Sequence, residues 1–105
     1  MSDKTITIAR VYALEGHDYL NQALTILRDQ EKLAGVTVIR GIAGFGANRE
    51  VHTSSLLNLS LELPLIIEFY DTPEKINKAI DALKNTLDLP HIVSWLATAH
   101  TEPSS

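Results

Sequence analysis

The sequence contains no cysteine, so disulfides, thiolate metal ligands and thiol nucleophiles are excluded, and a reducing compartment, the cytoplasm, is the expected location. Its apolar runs fall far short of the ~20 residues needed to cross a bilayer, and Met1 to Lys4 lacks the apolar core of a signal peptide, so no direct membrane insertion is expected. Basic residues are few and scattered: nine Lys and Arg against thirteen Asp and Glu give a net charge of −4. No stripe exists to follow a phosphate backbone, which argues against nucleic acid. Internal repeats are absent as well. The 105 residues, 45% of them hydrophobic, therefore describe one domain, 1–105, able to bury roughly 60–70% of its unfolded surface.

What is present reads in order as strand and helix. Thr5 to Leu14 alternates β-branched and apolar types, and Asp18 caps an amphipathic helix from Tyr19 to Leu33. Gly35 stops that helix, and Val36 to Ile42 forms a second strand. Leu65 to Tyr70 is a third strand. Thr72-Pro73-Glu74 then supplies an N-cap, a proline at the first helical position and an acid where the helix dipole favours one. Asp88-Leu89-Pro90 breaks the chain, His91 to Ala97 is a fourth strand, and 101–105 is a frayed tail. This βαββαβ order predicts an α+β ferredoxin-like sandwich, a four-stranded antiparallel sheet with two helices on one face. One covered face calls for one polar face, yet within each strand both alternations are apolar: Ile8 against Ala9 and Val11, Ile67 and Phe69 against Ile66 and Tyr70, and Ile92 against Val93 and Trp95. The bare face is therefore expected to meet other subunits, with Trp95 and Tyr12 as core or interface anchors.

The candidate binding stretch is Arg40-Gly41-Ile42-Ala43-Gly44-Phe45-Gly46, continuing through Asn48 and Arg49 to His52-Thr53. Three glycines at the exit of a β-branched strand permit backbone conformations closed to other residues and leave N–H groups approachable by a small anion. The polar run behind them predicts a mobile loop over about 44–57. The glycine spacing fits neither nucleotide fingerprint, and no lysine follows to serve a phosphate loop.

Glu68, flanked by Ile66, Ile67 and Phe69, cannot sit dry alone; it pairs with Arg10 or Arg40, or contacts a ligand. His17, His52, His91 and His100 form no metal-ligand spacing, although copies of His52 could converge in an oligomer. No nucleophile elbow or acid pair is present, and the chain is not expected to be an enzyme or to carry a cofactor.

Leu33 to Gly46, the His52-Thr53 pair, and Leu63-Pro64 leading into Ile67-Glu68 resemble the domain of unknown function 190 family, part of the PII-like superfamily. The resemblance implies a cytoplasmic homotrimer that binds a small effector, such as an adenine nucleotide, between subunits and signals through the loop after the second strand. It makes Gly44, Phe45 and Gly46 the floor of that site, sets Asn48 where PII proteins carry glutamine, and places Thr37 and Glu68 at positions lining their adenine pocket. Arg40, Gly41, Arg49 and His52 complete the candidate set. The resemblance lapses at the phosphate-binding loop, where Thr86 to His91 has no basic residue, so a mono- or diphosphate, cyclic nucleotide or small anion fits better than a triphosphate. A regulatory contact with a membrane transporter or channel is a further implication. The alternatives are a trimeric divalent-metal protein resembling the divalent-cation-tolerance family, and a ligand-free scaffold.

Overall fold

A computed structural model describes residues 2–14, 19–45, 52–53, 63–87 and 91–101. The main sheet contains β1 (Ser2–Leu14), β2 (Gly35–Arg40), β5 (Pro64–Asp71) and β6 (His91–Thr101), ordered β2-β5-β1-β6 with every neighbour antiparallel. Two short strands, β3 (Ala43–Gly44) and β4 (His52–Thr53), form a separate ladder between β2 and β5 in sequence. The helices are α1 (Tyr19–Thr25), continued by a π-turn over Ile26–Gln30, and α2 (Pro73–Thr86). This is the expected α+β ferredoxin-like arrangement, with the long hydrophobic strands at the centre and the amphipathic helices across one face.

Strand alternation sets the core. Ala9, Val11, Leu65, Ile67 and Phe69 point to the helix side and pack with Ala23, Ile26, Leu27, Ile76, Ala79 and Leu83. The α2 start forms as its sequence requires: Thr72 Oγ1 accepts from the Lys75 N–H, and Pro73 opens the helix.

Four local expectations change. α1 does not run to Leu33, because at Ile26 the backbone widens and the Glu31 N–H donates to the Ile26 carbonyl at 2.8 Å. The wider turn brings successive apolar residues Ile26 and Leu27 both into the core, which one α-helical stripe does less well. Lys32, at φ 52°, makes the left-handed turn assigned to Gly35. Gly35 instead opens β2 beneath the Tyr70 ring, which a Cβ would strike. Thr101, expected in a frayed tail, pairs with Ser2, so β1 and β6 continue as a two-stranded ribbon beyond the Thr7↔Asp71 pair where β5 ends. The Asp18 cap and residues 102–105 lie outside the described residues.

Asp71 ties three segments together. Its carboxylate accepts from the Ala34 N–H at 2.8 Å and the Thr72 N–H at 2.6 Å, and Lys75 Nζ stands 3.3 Å away while donating to the Lys32 carbonyl. Burial pushes this carboxyl up, but the Thr72 and Ala34 amides and then Lys75 more than offset it, so Asp71 titrates below the usual carboxylate range. A folded value below the unfolded one (about 3.9) gives stabilisation that is full above that unfolded value and lost as pH falls through the folded value. Asp71→Asn should therefore cost about 1.5–3 kcal/mol at neutral pH and flatten the loss of stability below about pH 4, measured by urea unfolding at both pH values.

Candidate functional site

The face of the sheet away from the helices carries a row set by register: Thr37 on β2 opposes Glu68 on β5, Glu68 opposes Arg10 on β1, and Arg10 opposes Val93 on β6. Arg10 Nε donates to Glu68 Oε1 at 2.8 Å, both side chains being partly exposed. Glu68 first, and Tyr12 next, hold the Arg10 guanidinium above its already high pKa. The Trp95 ring lies 5.8 Å from Arg10 Cζ, within cation–π range. One row further, Tyr12 and His91 are register partners with ring centroids 6.1 Å apart.

Around this charged centre the face is apolar. Ile8, Ile39, Ile66, Tyr70 and Val93 share its alternation, and Tyr70 and Trp95 each remain 42% exposed. A sheet face with aromatic rings left this open has the composition of an interface core.

The strand exit lies at the end of β2. The Gly41 N–H donates to the Pro64 carbonyl at 2.7 Å, so that amide is not presented to a ligand. Neither Gly41 nor Gly44 has φ in the left-handed region; Gly44 is needed because a Cβ would come within 2.9 Å of Pro64 Cγ. The expectation of glycine-only backbone conformations is corrected here to one of close approach. Gly44 then pairs with His52, and Ala43 with Thr53, closing the base of the segment between them. Ile42 is 77% exposed and Phe45 64%.

The structure thus joins Thr37 to Glu68, and Gly44 to His52 through their backbones. It separates Arg40 from the first pair: Arg40 opposes Leu65 and belongs to the helix-side alternation, so within one chain Arg10, not Arg40, answers Glu68. Gly46, Asn48 and Arg49 lie outside the described residues. Arg10, one of the two partners expected for Glu68, is the one found beside it, whereas His91 was not placed on this face. Alternation along Ile8-Arg10-Tyr12 carried the signal for Arg10, whereas His91 needed the β1–β6 register. Among the described residues no three His, Asp or Glu come together as a metal site, and no helix is long and apolar enough to cross a membrane.

A sequence profile for a family described as "Uncharacterized ACR" (DUF190) matches residues 6–99. A UPF0166 protein of Methanocaldococcus jannaschii is 35% identical over 81 residues, 72% of this chain and 73% of that one. Two matches to Aquifex aeolicus UPF0166 proteins, at 38% and 39% identity, span only about half of each chain, 50% and 56%. Among solved structures, the PII-like protein CPII of Thiomonas intermedia K12, bound to ADP, AMP and bicarbonate, superposes with TM-score 0.65 at 15% identity, over 93% of this chain and 89% of that one. CutA1 of Oryza sativa does so with TM-score 0.64 at 10% identity, over 92% and 84%. At these identities the likeness is one of fold.

Proposed function

From the premise that this chain belongs to the DUF190 family, we propose that it is a PII-like regulatory protein of the cytoplasm, a homotrimer that binds a small effector in the clefts between subunits. The observation that carries this reading is that Thr37 and Glu68 share the uncovered apolar face, while the exit from Gly41 to Phe45 leaves from the edge of the same sheet. Neither part is enclosed by the described residues of its own chain. A second subunit laid against the face would supply the missing wall, and the fold neighbour bound to ADP and AMP supports an adenine nucleotide as the effector.

Thr37, Glu68 and the Gly41-to-Phe45 exit would contact the effector, with Arg40, Gly46, Asn48, Arg49 and His52 completing the site. Effector binding acts on the segment over about 44–57 by favouring one of its arrangements, and a partner, in this reading a membrane transporter or channel, senses the difference. The role is regulatory, with no bond made or broken.

The test is a thermal-shift and calorimetric panel of AMP, ADP, ATP, cyclic AMP, bicarbonate, fluoride, zinc and copper. A ligand at 100 times its Kd adds about 2.7 kcal/mol to the native state, a rise of many degrees in Tm for a domain of this size. AMP or ADP is expected to give that rise and ATP a smaller one. The CutA1 likeness favours the divalent-metal reading as second, to be adopted if only zinc or copper responds and the response is lost in His52→Ala. Silence across the panel would leave a scaffold that binds protein alone.

A further inference from the structure

The uncovered face of the main sheet carries little charge, and its signs do not balance. On the strand positions that point away from the helices, the charged side chains among the described residues are Lys4 and Arg10 on β1 and Glu68 on β5; β2 and β6 add none. The other acids of these strands, Asp3 and Asp71, fall in the helix-side alternation. Glu68 is already engaged, its Oε1 accepting from Arg10 Nε at 2.8 Å. Two cations against one carboxylate leave the face of each copy with a positive charge to spare.

His91 stands on the same face. It opens β6 opposite Tyr12, the two ring centroids 6.1 Å apart, and the next pair along the ladder on that face is Val93 with Arg10. The single chain leaves His91 exposed, so water can solvate its ring in either charge state. A second copy laid against the face removes that water. A neutral imidazole then costs little, whereas an imidazolium would stand one row from the like charge of Arg10, beside a Tyr12 ring that offers no counter-charge. No carboxylate on the described strands of the face is left to answer it.

We propose that His91 makes self-association of this chain pH-dependent: copies associate through the bare face while the imidazole is neutral and separate as it takes up a proton. This deepens the assembly reading above and rests on it. The separate chain binds the proton more readily than the assembled one, so the association constant falls as pH falls, by up to about tenfold per pH unit for each proton excluded. Histidine is the side chain that ordinarily changes charge between about pH 5 and 8, and carboxylates as a class titrate below that window. Any effector site walled by the second copy is opened by the same protonation.

Sedimentation of the full chain over a concentration series at about pH 8 and about pH 5.5, with circular dichroism to check folding, tests this. The parent is expected to associate roughly 30-fold more weakly at the lower pH, His91→Gln to associate alike at both, and His91→Lys, charged throughout, to associate weakly at both. His100 is the control: its Nδ1 lies 3.1 Å from Asp3 Oδ1 in the helix-side alternation, so His100→Gln should keep the parent's response. Equal association of the parent at the two pH values, or a response that survives His91→Gln, overturns the proposal and leaves assembly through the bare face standing. Stronger association at the lower pH also overturns it, since a carboxylate of the second copy would then meet the imidazolium. A parent chain monomeric at every concentration and at both pH values overturns the proposal and the assembly reading together.

Discussion

Glu68→Ala is expected to weaken self-association by on the order of 100- to 1000-fold while leaving the isolated chain folded. In one chain the Arg10–Glu68 pair is partly exposed, so water can solvate whichever partner remains and the cost to folding is small. Once a second copy covers the face, that water is lost. The Arg10 guanidinium, which keeps its charge at any working pH, would enter the contact without a counter-charge, the case in which a buried ion pair becomes expensive to break. The same reasoning predicts that Arg10→Met/Glu68→Leu recovers assembly, since two apolar side chains leave nothing to desolvate beside Trp95 and Ile66. Sedimentation across a concentration series, with circular dichroism to check folding, measures both. Assembly of Glu68→Ala at the parent's concentration would refute the assignment of this face as an interface.

Phe69→Ala, one residue along, should act on folding instead, costing about 3–5 kcal/mol. Phe69 is fully buried on the helix side, opposed by Ala9 and Val36 in the sheet and clustered with residues of both helical segments. Its neighbours are held by strand and helix backbone and cannot collapse into the space left behind. A domain of this size has about 5–15 kcal/mol in total, so the loss is a large share of it. Denaturant unfolding should show a lower midpoint at unchanged slope. A change below about 1 kcal/mol would mean that the core closes over the gap. Residues 68 and 69 thus divide two properties between the sides of one strand.

That division was legible in the sequence, because residues two apart on a strand share a side and the apolar types of β1, β5 and β6 fill both alternations. The order of elements, the Thr72-Pro73 helix start and the uncovered face followed from the same patterns. Which arginine answers Glu68 did not. Both Arg10 and Arg40 stand on neighbouring strands, and only the register, Arg10 opposite Glu68 and Arg40 opposite Leu65, decides between them. The glycine-rich exit was located correctly for a different reason: glycine is needed at Gly44 for the approach of Pro64, a residue twenty positions away that no local pattern connects to it. The π-turn at Ile26 and the ribbon formed by Ser2 to Ile6 with Ala97 to Thr101 had no local signal either. A widened helical turn keeps helical spacing nearly intact, and the ribbon's ends are polar or small.

The placement of β1 between β5 and β6 has a consequence for biosynthesis. β1, the earliest of these strands in the sequence, takes both of its neighbours from residues 64 onward, and the pairing with β6 runs as far as Thr101. Such distant pairings form slowly, and no part of the main sheet can close while only the first half of the chain exists. Without β6, β1 would be left as a naked border, open to the wrong strand from another copy, so the pairing that completes the sheet also removes its most adhesive edge.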